Sequence, residues 1–164
     1  MATQLKNLSD FSGITIPSAA PYNFGIVVAE WNTEITGALY EGAYNSLLAH
    51  GASADNIQTY AVPGSFELTS GAELLLKNGR FDAIICLGCV IQGETRHFDF
   101  ICDAVANGLS NVAIKYSKPV IFGVLTTDNQ QQAIDRAGGK HGNKGDEAAI
   151  TAIKMADLAK TLEG

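Results

Sequence analysis

Four short segments rich in apolar or β-forming residues alternate along the chain with segments whose apolar residues recur every three to four positions. The first run, Phe24–Glu30, predicts a strand that is covered on both faces, because neither face of it is polar. The segment after it carries one apolar stripe at helical spacing, formed by Ile35, Leu39, Ala43 and Leu47. Such a stripe predicts an amphipathic helix, which we expect Thr33 to cap.

The same alternation continues to the end of the chain. The predicted strands cover residues 24–30, 57–62, 83–91 and 119–125. The predicted helices cover residues 33–50, 65–77, 98–116, 129–137 and 147–162, with a glycine-rich break at 138–145. Strands that alternate with helices indicate right-handed βαβ units. We therefore expect an α/β fold in which a four-stranded parallel sheet lies between two helical layers, as a single-domain three-layer sandwich over residues 1–164.

The composition of the chain limits the kinds of molecule that it is expected to bind. The chain has 164 residues, 46% of them hydrophobic and 17% charged, which fits one globular domain. Its net charge is -6 with no long basic run, so we expect neither nucleic acid nor an anionic membrane surface as a partner. No segment has the roughly 18 uninterrupted apolar residues of a membrane span. Residues 1–21 lack the pattern of a secretory signal, so we expect a cytoplasmic protein.

Three cysteines are present: Cys86, Cys89 and Cys102. An odd number argues against a disulfide framework. The first two form a C-x-x-C, but they lie in a predicted strand, where residues three apart point to opposite faces. We therefore expect ordinary thiols and no redox pair. The three histidines show no ligand spacing with the cysteines, so we expect no metal site.

Ligands of open parallel sheets bind beyond the carboxyl ends of the strands, so residues that directly follow strands are candidates for chemistry. Trp31 follows the first strand and can stack on a flat heteroaromatic ring, although an ordinary core or interface aromatic is the alternative. Ser65, Phe66 and Glu67 follow the second strand at a predicted helix start. Free N–H groups and the Glu67 carboxylate suit a polyol, whereas a simple helix cap is the alternative.

The third strand leads into Gly93, Glu94 and Thr95 ahead of a predicted helix, an arrangement that binds phosphate. Glu94 stands where a P-loop requires lysine, which argues against a Walker-type nucleotide site. His97 begins the helix beside this loop. Imidazole groups exchange protons near neutral pH, so His97 is a candidate proton carrier, or else a surface histidine that caps a helix.

Arg136 and Lys144 follow the fourth strand at a distance. The guanidinium of Arg136 can donate two parallel hydrogen bonds to a phosphate, although a solvated basic patch is the alternative. Because these residues lie so far beyond the sheet along the chain, we expect a neighbouring subunit to receive them. The residues alone thus indicate a site for a flat ring, a polyol and a phosphate, with one histidine.

Four segments together resemble the lumazine synthase family over residues 24–162: 62–68 (VPGSFEL), 87–98 (LGCVIQGETRHF), 122–129 (FGVLTTDN) and 132–138 (QAIDRAG), the last followed by 142–145 (GNKG). The resemblance implies the flavodoxin-like version of the fold. It also implies a transferase of riboflavin biosynthesis, which condenses 5-amino-6-(D-ribitylamino)uracil with 3,4-dihydroxy-2-butanone 4-phosphate. The products are 6,7-dimethyl-8-ribityllumazine, phosphate and water, and no metal or other cofactor takes part.

The resemblance also assigns roles to residues. His97 is the proton donor and acceptor, and Arg136 assists phosphate elimination. The substrate-binding residues implied are Trp31, Ser65, Phe66, Glu67, Cys89, Val90, Ile91, Glu94 and Thr95 from one subunit, and Phe122, Arg136 and Lys144 from its neighbour. Two positions depart from the family pattern, Thr69 where proline is common and Cys89 where threonine is common. We expect Thr69 to change only the helix start and a backbone contact at residue 89 to survive.

The assembly implied is a homo-oligomer with a site shared between adjacent subunits. Family members form pentamers, some of which close into sixty-subunit icosahedral capsids, and riboflavin synthase is an associated partner. We expect residues 1–21 to be an extension that packs on a neighbouring subunit. Two alternatives use the same fold: a flavin-binding module, and a structural shell protein with an inactive site.

Overall fold

The computed structural model describes residues 7–163 and shows alternating strands and helices. The strands are β1 (Phe24–Ala29), β2 (Ile57–Val62), β3 (Ala83–Ile91), β4 (Val120–Thr127), β5 (Ala137–Gly139) and β6 (Gly142–Asn143). The helices are α1 (Thr33–Ala49), α2 (Leu68–Asn78), α3 (His97–Tyr116), α4 (Gln130–Ile134) and α5 (Lys144–Leu162).

The first four strands form one parallel sheet in the order β2-β1-β3-β4. The central strands β1 and β3 are almost fully buried, as their continuous apolar sequences predict. The carboxyl ends of β1, β2 and β3 lie at one edge of this sheet, since Ala29 pairs with Val62 and Val28 with Leu87. That edge is where the residues after each strand meet.

Two apolar clusters cover the two faces of the sheet. One contains buried residues of α1 and α5, including Leu39 and Ile153, and the other contains residues of α2 and α3, including Leu68 and Leu109. The three-layer α/β sandwich expected from the sequence, which is the flavodoxin-like architecture, is thereby confirmed. Cys89 belongs to the first cluster and Cys86 to the second, so the two thiols do point to opposite faces of β3.

Several expectations about element ends are wrong. The last helix, expected from residue 147, begins at Lys144, and the fourth strand, expected to end at residue 125, reaches Thr127. Residues 65–67 form a 3-10 turn rather than the first turn of an α-helix, and α2 begins at Leu68. The helix expected over 129–137 ends at Ile134, because the chain enters the β5–β6 hairpin, where Gly138 adopts a φ of 101°. Thr33 does not cap α1. The N-cap is Asn32 in a left-handed conformation, with a φ of 62°.

Residues 7–22 contact the rest of the same chain. The Leu8 N–H donates to the His141 carbonyl at 2.7 Å, and the Ser9 hydroxyl donates to the Asp146 carboxylate at 2.5 Å. Tyr22 is buried and donates to Asp157 at 2.9 Å. The expected packing of residues 1–21 on a neighbouring subunit stays a prediction, and residues 1–6 lie outside the described part.

Across residues 7–163, no helix combines the length and the apolar character that crossing a membrane requires.

Candidate active site

A cavity of about 570 Å³ opens at the edge of the sheet where β1, β2 and β3 end. Its walls come from the segments that follow these three strands and from the first turn of α3. The lining residues are Trp31, Asn32, Gly64, Ser65, Phe66, Glu67, Cys89, Val90, Ile91, His97 and Ile101. Eight of the residues predicted for substrate binding or catalysis therefore lie together in one cavity, namely Trp31, Ser65, Phe66, Glu67, Cys89, Val90, Ile91 and His97.

Asn32 shapes the wall that follows β1. Its backbone lies in the left-handed region, which asparagine tolerates better than most residues, and its side-chain N–H donates to the Cys89 carbonyl at 3.0 Å. The adjacent Trp31 donates its backbone N–H to Pro63 at 3.1 Å. Its side chain is 73% exposed although it lines the cavity. A large indole with an uncovered face can stack on a flat ring.

The wall that follows β2 is a tight turn with an unused hydroxyl. Ser65 is buried, and its Oγ has no hydrogen-bond partner among residues 7–163. A Cβ on Gly88 would lie 2.6 Å from this Oγ, so glycine at 88 gives the hydroxyl its room. Phe66 is exposed and Glu67 half-buried. The turn therefore offers a hydroxyl, a carboxylate and an aromatic face to a ligand with several hydroxyl groups.

The wall that follows β3 is mainly backbone and apolar surface. The Cys89 side chain is 2% exposed, and burial raises the pKa of its thiol to about 11. The thiol is therefore protonated at neutral pH and is a poor nucleophile. Val90 and Ile91 are half-buried beside it. This wall can hold the edge of a ring through backbone groups, and Cys89 does not offer a covalent step.

Side chains of the loop between β3 and α3 form hydrogen bonds with the backbone of the same loop. The Gln92 amide donates to the Gly93 carbonyl at 2.8 Å, and the Thr95 hydroxyl accepts from the His97 N–H at 3.4 Å. Glu94 and Thr95 are exposed and lie outside the residues that line the cavity. His97 is the first residue of α3, and its side chain lines the cavity, so it is placed to exchange a proton with a bound molecule.

Phe122, Arg136 and Lys144 do not line this cavity. Phe122 lies on the edge strand β4 with its ring 37% exposed. The Arg136 guanidinium donates to the Gln132 carbonyl at 2.9 Å, and the Lys144 ammonium pairs with Glu147 at 2.9 Å. One chain therefore does not bring these three predicted residues to its own cavity.

Three lining residues were not among the predicted site residues: Asn32, Gly64, which belongs to the turn after β2, and Ile101. Ile101 lies four residues after His97, a spacing that places two side chains on the same face of a helix. This spacing could have predicted from the sequence that Ile101 lies beside His97. Asn32 gives the weaker signal of a polar residue next to Trp31, because its left-handed backbone and its bond to Cys89 depend on contacts distant in sequence.

Within residues 7–163, no group of three or more His, Cys, Asp or Glu side chains could hold a metal ion.

The sequence of this chain matches known proteins over nearly its whole length. The profile of the 6,7-dimethyl-8-ribityllumazine synthase family matches residues 21–160. A 6,7-dimethyl-8-ribityllumazine synthase of Cytophaga hutchinsonii is 64% identical over 162 residues, which covers 99% of this chain and 100% of the relative. That of Parabacteroides distasonis is 53% identical, with coverage of 97% and 99%. That of Flavobacterium johnsoniae is 54% identical, with coverage of 95% and 82%. The chain therefore belongs to the 6,7-dimethyl-8-ribityllumazine synthase family.

Proposed function

We propose that this chain is a transferase of riboflavin biosynthesis that makes 6,7-dimethyl-8-ribityllumazine from 5-amino-6-(D-ribitylamino)uracil and 3,4-dihydroxy-2-butanone 4-phosphate. One observation carries the proposal: the cavity joins Trp31, the turn at 65–67 and His97. These groups match the three parts of the chemistry, which are a flat ring, a ribityl chain and proton transfer. Family membership supports the same reaction.

The uracil substrate fits the walls made by β1, β2 and β3. Trp31 stacks on the pyrimidine ring, and backbone groups of residues 89–91 meet the ring edge. The ribityl hydroxyls bond to Ser65, Glu67 and the backbone of Phe66. Support comes from the Ser65 hydroxyl, which is buried with no hydrogen-bond partner among residues 7–163 and gains one from a ribityl oxygen. A site whose polar groups are left unpaired without ligand discriminates against molecules that lack the matching hydroxyl.

The phosphate of the second substrate binds at the loop that precedes α3. The backbone N–H of Glu94 and the hydroxyl and N–H of Thr95 donate to it, because these groups precede a helix of twenty residues. The Glu94 carboxylate points elsewhere, since it would repel the anion. Arg136 of an adjacent subunit completes the site with a guanidinium fork that suits a phosphate.

The reaction then requires positioning and proton transfer. The 5-amino group of the uracil attacks the ketone of the butanone, and loss of water gives an imine. A proton is removed from the adjacent carbon, and the electron pair expels phosphate, which Arg136 stabilises as it leaves. Elimination leaves an enol, which tautomerises to a new carbonyl; the ribityl-bearing nitrogen attacks this carbonyl to close the ring, and a second loss of water gives the lumazine. His97 carries protons in these steps, and holding both substrates together supplies much of the acceleration.

We further propose that the chain acts as a single domain in a cytoplasmic homo-oligomer whose sites are shared. A neighbour supplies Phe122, Arg136 and Lys144, since these three do not line the cavity of their own chain. The assembly is a pentamer or a sixty-subunit capsid built from pentamers, in which residues 1–21 pack on a neighbouring subunit and riboflavin synthase is an associated partner.

A turnover assay tests the proposed reaction. Purified protein receives both substrates, and lumazine fluorescence and phosphate release are followed together. An enzyme-free sample is essential because the condensation also proceeds uncatalysed. We expect both products to appear in equal amounts, well above that background. A rate equal to the background, in protein whose circular dichroism shows it folded, would contradict the proposal.

A further inference from the structure

Gln132 connects the end of β4 to Arg136 through both its side chain and its backbone. The Asp128 N–H donates to Gln132 Oε1 at 3.0 Å, and Gln132 Nε2 donates back to the Asp128 carboxylate at 3.3 Å. The Gln132 N–H donates to Asn129 Oδ1 at 3.0 Å. Residue 132 is thus held at three points to the two residues that directly follow β4.

These contacts matter because α4 is only five residues long. A helix of this length is not stable through its own hydrogen bonds. Asn129 Oδ1 caps the helix start by accepting from the Gln132 N–H, and the Gln132 side chain bonds back to Asp128, the residue before the cap. The position of α4 therefore depends on the Gln132 side chain.

Arg136 in turn depends on the position of residue 132. Its Nη1 donates to the Gln132 carbonyl at 2.9 Å, and this is the one hydrogen bond of the guanidinium within residues 7–163. The backbone of Arg136 is fixed as well, since its N–H donates to Ala133 at 3.0 Å and its carbonyl accepts from Lys144 at 2.8 Å. The remaining N–H groups of the guanidinium stay available for an anion.

We infer that Gln132 is a positioning residue that holds the Arg136 guanidinium in the orientation in which it binds phosphate. The inference rests on the proposed function, in which Arg136 contacts the phosphate of the second substrate. A long arginine side chain loses much conformational freedom when it binds an anion. An anchor that restricts the side chain beforehand lowers that cost, so the anchor improves binding without touching the ligand.

Steady-state kinetics of Gln132→Ala, Arg136→Ala and the double variant test this role. We expect Gln132→Ala to raise KM for 3,4-dihydroxy-2-butanone 4-phosphate by about tenfold, while KM for the uracil substrate changes by less than about twofold. In the Arg136→Ala background the same change has no further effect, because the group it positions is gone. Gln131→Ala is the matched control, since it removes an amide on the same helix whose hydrogen bond within residues 7–163 is made to Asp135, at 2.9 Å.

Gln132→Glu provides a second variant with a harsher change. It keeps an acceptor for the Asp128 N–H but places a second carboxylate against that of Asp128, which repels it, so we expect its KM to be at least as high as that of Gln132→Ala. A Gln132→Ala effect of equal size in both Arg136 backgrounds would overturn the inference, as would equal rises in KM for both substrates.

Binding of inorganic phosphate, followed by isothermal titration calorimetry, separates this inference from the proposed reaction. We expect Gln132→Ala and Arg136→Ala each to weaken phosphate binding, and the double variant to match Arg136→Ala. Such a pattern in a protein without turnover would contradict the proposed reaction and support the positioning role. Turnover as proposed, with phosphate binding unchanged in Gln132→Ala, would overturn the positioning role alone.

Discussion

His97 is the side chain for which proton transfer and substrate positioning are most easily separated. It lines the cavity from the first turn of α3, whereas the ring and the ribityl chain are held by other walls. We expect His97→Ala to lower kcat by about a hundredfold without abolishing turnover, because general acid–base catalysis contributes on that order and the substrates still meet in the correct orientation.

The measurement is kcat and both KM values by lumazine fluorescence, with the uncatalysed rate subtracted. His50→Ala is the matched control, because His50 caps the far end of α1, where its Nδ1 lies 2.8 Å from the Ser46 carbonyl. A His97→Ala enzyme that keeps the wild-type kcat would contradict the role of this imidazole as the proton carrier.

Cys89 links burial to the pH dependence of stability. Burial raises the pKa of its thiol from 9.0 to about 11, so the folded chain keeps a proton that the unfolded chain releases between these values. Because the unfolded state binds fewer protons there, the free energy of unfolding falls as pH rises from 9 to 11. We expect Cys89 to contribute a loss of about 2 kcal/mol across this window, given about 1.4 kcal/mol per pKa unit.

Urea denaturation of wild type and Cys89→Ser at pH 7.5, 9 and 10.5 measures this contribution. Serine does not titrate in this range, so we expect the stability difference between the two proteins to shrink as pH rises. The buried thiol of Cys86 is present in both proteins and cancels in the comparison. A difference that stays constant from pH 7.5 to 10.5 would be evidence against the raised pKa.

At the scale of elements, helices α1 and α5 pack closely because a glycine lies at their crossing. A Cβ on Gly145 would lie 1.9 Å from the Leu39 carbonyl oxygen, and that oxygen is fixed in the backbone of α1. We expect Gly145→Ala to lower the free energy of unfolding by about 3 kcal/mol, since a buried backbone atom cannot yield as a flexible side chain does. Urea denaturation at pH 7.5 gives the value.

Gly37→Ala provides the comparison within α1 itself. A Cβ on Gly37 has no heavy-atom neighbour within 4 Å in the described part of the chain, so alanine there meets no obstacle and favours the helix by about 0.5–1 kcal/mol. We therefore expect Gly37→Ala to be neutral or stabilising. Equal destabilisation by the two substitutions would show that the close approach at Gly145 is not the cause.

The sequence predicts some elements of this fold better than others, for identifiable physical reasons. The bounds of β2 and β3 were predicted correctly, because turn residues flank both segments, although β2 is largely exposed and only β3 is a buried apolar run. The strand order β2-β1-β3-β4 was not predicted, since it depends on pairing between distant segments. The helix predicted to Ala137 fails at its end, where local helical preference gives way to the β5–β6 hairpin and its left-handed Gly138.

At the scale of the whole molecule, the convergence of three walls could be predicted because a parallel sheet places the carboxyl ends of its strands at one edge. Trp31, Ser65 and His97 meet in the cavity for this reason. The bond from Asn32 to the Cys89 carbonyl could not be predicted, because it joins residues 57 positions apart. The segment after β4 does not join this cavity. Helix α4 separates Arg136 from the end of that strand, and Arg136 lies outside the cavity.

Because Arg136 lies outside the cavity that holds His97 in the same chain, mixed variants can test whether sites are shared between subunits. His97→Ala and Arg136→Ala each damage one side of the proposed site, and the two sides come from different chains. If the variants are unfolded, mixed in equal amounts and refolded together, about a quarter of the sites in a random ring combine an intact His97 with an intact Arg136 from the neighbour. We therefore expect the mixture to exceed the mean activity of the two variants refolded separately.

A mixture of His97→Ala with Trp31→Ala is the matched control. Both changes fall within the cavity of a single chain, so no arrangement of neighbours rebuilds an intact site, and we expect no gain in activity. Wild type taken through the same procedure shows how much activity refolding recovers. A gain in the first mixture and none in the second would place Arg136 in the neighbour's site. Absence of gain in both, with oligomers of mixed composition seen by native mass spectrometry, would contradict shared sites and require Arg136 to act within its own chain.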